Sequence, residues 1–414
     1  MQHVAILGSG VIGLSTAYAL RQRGVPRVTV LEGGPGPSGA SLVNAGWICP
    51  GHADPLPSPG LVGRSARWML RSDSPLYVRP TLDPGFLRWL VAFWRNCTAR
   101  HFAAGLDAMA ALNAETYRLF DAYADAGVRF EMSRDGLLLA FLGARRMESE
   151  LRHLEHHPGL FGSTPRVLWG SEARSVEPGL SAAVTGAVWL ANERHVTPGT
   201  LMAGLAQWLD ERNVEIRVNT PVTGIETHGW TARLHMKGEC LDADAVVIAV
   251  GARAGAVAKM LGVAMPIQAG KGYSLDYAAP PGPVGYPISL AEASMAVTPM
   301  AGGVRLAGTM ELSGINTTVR RERVAALARG ASLFLEGWSA STDGAVVGSG
   351  LRPLTPDGLP VIGMLPGHRN VAISTGHGML GLTMAPATAE ALADTLLTGC
   401  APDVLAPFSP DRFA

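Results

Sequence analysis

Val4-Ala5-Ile6-Leu7-Gly8-Ser9-Gly10-Val11-Ile12-Gly13 decides the fold of this chain. Its four leading apolar residues read as a buried strand, and Leu14 to Arg23, closed by Gly24, reads as the helix that follows. Val28 to Leu31 supplies a second strand that ends at Glu32. The three glycines have separate tasks in such a strand-helix-strand unit. Gly8 permits the tight turn, Gly10 lets a pyrophosphate approach the backbone beside Val11 and Ile12, and Gly13 lets helix and strand pack closely. The free N–H groups and positive end of the helix then face the diphosphate. Glu32, 19 residues beyond Gly13, is placed to accept hydrogen bonds from ribose hydroxyls. Its charge would repel a 2′-phosphate, which favours NAD or FAD over NADP.

Outward from this unit, the 414 residues leave room for two or three domains at roughly 150 residues each. Apolar residues make up 47% and charged ones 16%, which places the chain far from the disordered class. Lys plus Arg equals Asp plus Glu, 34 against 34, so no global field draws nucleic acid or an anionic membrane surface. Cys49, Cys97, Cys240 and Cys400 are far apart and read as reduced thiols, with no metal cluster expected. The longest apolar runs fall short of the ~18 residues a membrane span needs, and the first lacks the basic leader of a signal peptide. The expected compartment is therefore the cytoplasm.

From about Leu61 to Ala144 the pattern is helical, with Phe86, Trp89, Leu90 and Phe93 on one stripe. An amphipathic helix covering its own core accounts for that stripe, and no site is assigned to it. Thr197-Pro198 reads as a helix entry, and Val214 to Val222 as an alternating strand. Ala245 to Val250, ending at Gly251, reads as a parallel strand covered on both faces. The domains are expected to interleave: residues 1–60, 145–252 and 345–414 in a nucleotide-binding domain, and 61–144 and 253–344 in a substrate domain.

Three separated stretches resemble the glycine oxidase and D-amino-acid oxidase/dehydrogenase family of FAD flavoproteins, and most closely its D-amino-acid dehydrogenases. They are Gly8 to Glu32 extended by Ser41 to Gly51, Gly270-Lys271-Gly272-Tyr273-Ser274-Leu275, and Gly350-Leu351-Arg352 through Ser374-Thr375-Gly376-His377-Gly378 to Thr383. Order and spacing match over nearly the whole chain. The resemblance implies an α/β fold, with an interleaved Rossmann-like FAD-binding domain and an α+β substrate domain built on a mixed β-sheet. It implies non-covalent FAD, since no cysteine stands beside Gly350-Leu351-Arg352, where relatives of the sarcosine-oxidase kind attach their flavin. Asn44, Ala45, Gly46 and Trp47 would pass beside the flavin ring, and Val222 would meet adenine through its backbone. Ser41, Gly251 and the stretch Gly378, Met379, Leu380, Gly381, Leu382 and Thr383 complete the expected cofactor contacts. That last stretch also opens a helix, whose N-terminal dipole would stabilise negative charge on a reduced flavin.

By the same resemblance Arg352 binds the substrate carboxylate, a task suited to the planar fork of a guanidinium. Tyr273 is expected over the pocket, hydrogen-bonding the same carboxylate. His377 is expected to polarise the flavin or assist amine deprotonation, although a histidine in such a turn also serves to orient backbone. The implied reaction is oxidation of a D-amino acid, with hydride passing from the α-carbon to flavin N5 and the imino acid hydrolysing to a 2-oxo acid and ammonia. Glycine, sarcosine or a cyclic imino acid is the alternative substrate. A nicotinamide-dependent dehydrogenase and a flavin-bearing electron-transfer subunit are the alternatives from other classes. The expected partners are a small amino acid and an acceptor that is oxygen or a quinone-like carrier; nucleic acid is not expected. The resemblance leaves open a peripheral position at the inner face of the membrane and a homo- or hetero-oligomeric assembly.

Overall fold

The computed structural model of the chain describes residues 1–36, 39–63, 76–155 and 164–414. The opening motif folds as its spacing predicts. Strand His3–Leu7 is wholly buried, helix Val11–Gln22 follows it, and strand Arg27–Leu31 returns parallel to the first. These pieces belong to a six-stranded sheet ordered Glu215–Arg217, Arg27–Leu31, His3–Leu7, Ala245–Ile248, Val371–Thr375, Val361–Met364. All its pairings are parallel except the last. Its central strands are continuous apolar runs because both faces are covered. On one face lie Val11–Gln22, Pro198–Asp210 and the terminal helix Gly381–Thr398, sharing Leu14, Leu201, Leu205 and Leu392. The other face carries a three-stranded antiparallel layer, with Ile225, Leu234 and Leu241 packed against Ala5 and Ile248.

The second body is a mixed nine-stranded sheet. Its main path runs Ala345–Leu354, Gln268–Tyr277, Gly303–Leu312, Met295–Met300, Ile288–Leu290, Leu137–Phe141, Gly186–Leu190, Arg166–Trp169, and Leu76–Val78 pairs with Gly303–Leu312. Helix Arg321–Phe334 covers one face, contributing Val324, Leu327 and Ala331 to a core with Tyr273 and Leu275. The interleaved α/β architecture is therefore present.

The segment boundaries differ from those read off the sequence. Within the segment assigned to the nucleotide domain, strand Gly186–Leu190 pairs with Leu137–Phe141 in the nine-stranded sheet and Arg166–Trp169 pairs with Gly186–Leu190 at its edge, while Ala345–Leu354 pairs with Gln268–Tyr277 in the same sheet. Conversely, Met109, Leu112 and Phe120 from the helical insertion pack with the terminal helix on the nucleotide side. Strand partners are chosen by long-range packing, which local periodicity does not encode. The insertion itself holds helices Pro84–Asn96, Ala99–Asn113 and Thr116–Asp125 before turning to strand at Leu137–Phe141. Asp83 caps the first of these by accepting from the Gly85 N–H at 2.9 Å, with Pro84 at its first position. Residues 64–75 of the insertion lie outside the described residues. The strand expected over 214–222 is only Glu215–Arg217, because Asn219 takes a φ of 53° and the chain turns back onto Gly34 and Glu32.

Candidate active site

The nucleotide end follows from the glycines. Gly8 has a φ of 102°, and a Cβ there would stand 2.5 Å from the Ala249 carbonyl oxygen. A Cβ on Gly13 would stand 2.0 Å from the Gly8 oxygen, so both are fixed by the fold itself. Gly10 differs. Its φ and ψ of −67° and 172° suit any residue, and its nearest obstacle is Ser41 Oγ at 3.4 Å. The folded chain does not need glycine there, whereas a phosphate approaching the helix start does. Glu32 is drawn into the same turn, accepting from the Ser9 N–H and hydroxyl, both at 2.9 Å, and from the Gly34 N–H at 2.9 Å. Val222 is half-buried beside Leu31, after the Asn219–Thr220 backbone has bonded to Gly34 and Glu32. Gly251, with a φ of 55°, closes the strand Ala245–Ile248 and accepts from the Thr375 hydroxyl at 2.9 Å.

Over the nine-stranded sheet, walled by the loops at 40–58 and 378–383, lies a cavity of about 950 Å³. The expected flavin-side loops meet in its wall: Asn44, Ala45 and Trp47 from one side, Gly378, Met379, Leu380 and Thr383 from the other. Asn44 donates through Nδ2 to the Met379 carbonyl at 3.1 Å and accepts the Gly46 N–H at 2.8 Å. The Thr383 hydroxyl donates to the Trp47 carbonyl at 3.1 Å and accepts from the Cys49 N–H at 3.2 Å. Gly381 and Leu382 open the terminal helix alongside it, with Leu382 buried. Arg305 anchors the first loop from the sheet. Its guanidinium grips Asp276 at 2.6 and 2.9 Å and donates to the Leu42 and Asn44 carbonyls at 2.6 and 2.8 Å. This positioning residue was not singled out from the sequence, where it is one charged residue in an alternating strand.

Arg352 lies where two neighbouring strands have been cleared of side chains. Gly270 is its register partner, and a Cβ on Gly272 would stand 2.3 Å from one of its terminal nitrogens. On the same face of its own strand, Gly350 and Gly348 give way to Val43 of the flavin-side loop. One terminal nitrogen donates to the Thr309 carbonyl at 2.6 Å. No carboxylate among the described residues pairs with it. Burial alone lowers its pKa to about 10, so it stays a cation at neutral pH, desolvated and facing the cavity. Such a group calls for an anionic partner.

Tyr273 is placed differently from the expectation. Side chains alternate along a strand, so with Gly272 beneath Arg352, Tyr273 points to the opposite face, under helix Arg321–Phe334. Its hydroxyl donates to Glu311 at 2.7 Å, and Glu311 also meets Lys271 Nζ at 3.0 Å. Lys271 is further satisfied by Asn316 Oδ1 at 2.6 Å and the Thr318 carbonyl at 2.7 Å. This buried set braces the sheet from behind. His377 also departs from the expectation. Its ring is buried outside the cavity wall, with Nε2 3.2 Å from Thr388 Oγ1, and desolvation drives its pKa to about 3. It is neutral at working pH and fixes the turn onto the terminal helix. The aromatic stripe, in contrast, has a place in the site: Trp89, Leu90, Phe93 and Trp94 all line the cavity.

The loop at Cys49–His52, part of the cavity wall, is held from behind by a titrating brace. Glu193 is 2% exposed, accepts from the Gly51 N–H at 3.2 Å and from the Tyr117 hydroxyl at 2.9 Å, and burial pushes its carboxyl up to about 8. Between the ordinary carboxylate pKa and this raised one, the folded state holds a proton that the unfolded state has lost. Stability is then complete at acid pH and declines as pH rises toward 8, with a slope approaching about 1.4 kcal/mol per pH unit. Urea midpoints measured from pH 5 to pH 9 should show this decline in the wild type and lack it in Glu193→Gln. Identical pH profiles for the two proteins would refute the assignment.

Comparison with known proteins agrees with this geometry. The model of the FAD dependent oxidoreductase family matches residues 3–395, and the chain belongs to that family. It is 34% identical over 413 residues to the D-amino acid dehydrogenase of Cereibacter sphaeroides, covering 97% of this chain and 93% of that one. The D-amino acid dehydrogenase of Granulibacter bethesdensis is 33% identical, with 97% of each chain covered. Among solved structures, glycine oxidase from Geobacillus kaustophilus superposes with a TM-score of 0.75 at 24% identity over 100% of both chains, and carries the same fold. Among the described residues no helix is long and apolar enough to cross a membrane, and no cluster of ligating side chains is suited to a metal.

Proposed function

We propose that the protein oxidises a D-amino acid at its α-carbon, and that Arg352, a desolvated guanidinium without a carboxylate partner in the described cavity, holds the substrate carboxylate. FAD, held by the Gly8–Gly13 turn, Glu32 and the Asn44–Trp47 and Gly378–Thr383 loops, supplies a two-electron acceptor when bound. The chain's own contribution is placement. Arg352 uses one nitrogen on Thr309 and keeps the rest of its fork for the substrate, while Gly272 leaves room for the guanidinium itself to lie across the neighbouring strand. Arg305 and Asn44 hold the facing loop at a fixed height, so the α-carbon is presented in one orientation. The apolar wall beside Arg352 strengthens the ion pair. Two electrons and a proton leave the α-carbon, a second proton leaves the nitrogen, and water converts the imino acid to a 2-oxo acid and ammonia. Neither Tyr273 nor His377 is needed for a proton transfer. The D-configuration is supported by the names of the relatives, and so is an acceptor other than oxygen.

The purified, FAD-loaded protein should release ammonia from D-amino acids while reducing an artificial quinone or dye, with oxygen uptake a small fraction of that rate. Ammonia release without dye reduction, at the expense of oxygen, would make it an oxidase. Absence of ammonia with every amino acid would remove the proposal.

A further inference from the structure

The cavity's polar groups are unevenly distributed. Beside Arg352 the wall is hydrocarbon: Met310 Sδ stands 3.9 Å from its terminal nitrogen, and a Cβ on Gly270 would meet Met310 and Leu354 at 2.5 and 2.6 Å. Leu354 continues into a cluster with Leu312, Trp89, Leu90, Phe93 and Val78. Trp89 and Phe93 are stacked at 5.3 Å, and the Trp89 indole is pinned by the Pro266 carbonyl at 3.0 Å. Among the described residues, this packed wall contributes no ionisable side chain to the cavity. The cavity's other ionisable side chains are His52 and Asp54, from the loop that also brings Leu56 to this wall, and three from a helix farther along the sheet. Arg146, Glu150 and His153 come from helix Ala144–Glu155, which follows Leu137–Phe141, the fifth strand over from the one bearing Arg352. The Arg352 guanidinium reaches across Gln268–Tyr277 to Thr309 on Gly303–Leu312, which leaves three strand spacings, about 14 Å, between it and Leu137–Phe141. Those groups also have partners, Arg146 on Glu150 at 3.2 Å and His153 on Asp54 at 3.1 Å.

Resting on the reading of Arg352 as the carboxylate anchor, we infer that the enzyme selects amino acids with large apolar side chains, aromatic ones above all. With the carboxylate on Arg352, the side chain is confined to the Met310–Leu354–Phe93 wall. An apolar group gains burial there, while an ammonium or a second carboxylate is desolvated against a wall whose described residues offer no counter-charge. The small side chain of alanine leaves the wall unfilled. Phe93 and Leu90, on one face of a helix whose other face is solvated, set the far limit of the pocket.

Stopped-flow reduction of the FAD-loaded enzyme under anaerobic conditions tests this with D-phenylalanine, D-leucine, D-alanine, D-glutamate and D-lysine. D-phenylalanine should exceed D-alanine by roughly tenfold, and D-glutamate and D-lysine by a hundredfold or more, in the second-order rate constant. Phe93→Ala should lower the D-phenylalanine to D-alanine ratio about tenfold. D-glutamate or D-lysine within threefold of D-phenylalanine would overturn the inference and leave amino-acid oxidation standing. Phe93→Ala with an unchanged ratio would also overturn it. Failure of all five to reduce the flavin would instead count against the proposed function itself.

Discussion

Replacing Arg352 with leucine is expected to lower kcat/KM for a D-amino acid by about 10²- to 10⁴-fold, most of it in KM. The estimate follows from losing two charge-assisted bonds to the substrate carboxylate, each contributing about 1.5–3 kcal/mol. Fold and cofactor should survive, because the guanidinium is half-buried at the cavity wall without an acidic partner among the described residues, so its removal leaves no buried charge unpaired. The leucine variant should therefore purify with flavin bound and melt within a few degrees of the wild type. Arg352→Lys keeps the charge but loses the fork, and should recover only part of the activity. Steady-state kinetics on the three proteins, with flavin content measured beside them, separates this role from a structural one. A leucine variant with unchanged KM would mean that the carboxylate is held elsewhere.

The second large effect concerns the cofactor. Gly10→Val should weaken FAD binding by at least about 100-fold while leaving the apo-protein folded, since valine suits the backbone angles at that position and its Cβ would meet only Ser41 Oγ, at 3.4 Å. Gly13→Ala provides the contrast, because its Cβ would collide with the Gly8 carbonyl at 2.0 Å and damage the motif with or without ligand. Circular dichroism should report a native fold for Gly10→Val, and equilibrium titration with FAD should report the lost affinity. Wild-type affinity in that variant would show that the pyrophosphate does not lie against Gly10.

Much of this was legible in the sequence because it is local. The Gly8–Gly13 spacing, the acid at Glu32 and the apolar run at Ala245–Ile248 each carry their meaning within a few residues, and each sits where its spacing predicts. Arg352 was legible through its motif, and the glycines of Gly270-Lys271-Gly272 take on a physical meaning once Arg352 is seen lying over Gly272. Strand alternation alone places Tyr273 on the face away from Gly272, so parity was the signal that argued against the expected role. His377 was less accessible to reading. Whether a histidine in a glycine turn faces a cavity or a helix depends on a single backbone rotation, and here it faces Thr388.

The long-range features were not legible for a plain physical reason. That Gly186–Leu190 joins the substrate-side sheet is decided by its pairing with Leu137–Phe141, and Arg166–Trp169 follows by pairing with Gly186–Leu190; a short apolar strand fits either sheet equally well until its partner is known. The stripe from Phe86 to Phe93 read as core and is core on one side, with Phe86 and Trp89 buried. Its residues also wall the cavity because the helix lies across Leu312 and Leu354. Periodicity identifies the apolar face of a helix but not what stands opposite it.

The central claim, that this chain uses Arg352 and bound FAD to oxidise D-amino acids, is tested most directly by anaerobic titration of the flavin-loaded protein with one D-amino acid and with its L-enantiomer. Visible absorbance and the released products are followed together. The account predicts that the D-enantiomer bleaches the flavin with one 2-oxo acid and one ammonia formed per flavin reduced, and that the L-enantiomer leaves the spectrum unchanged. A flavin that neither enantiomer of any amino acid bleaches, or one reduced by L-enantiomers alone, would contradict it.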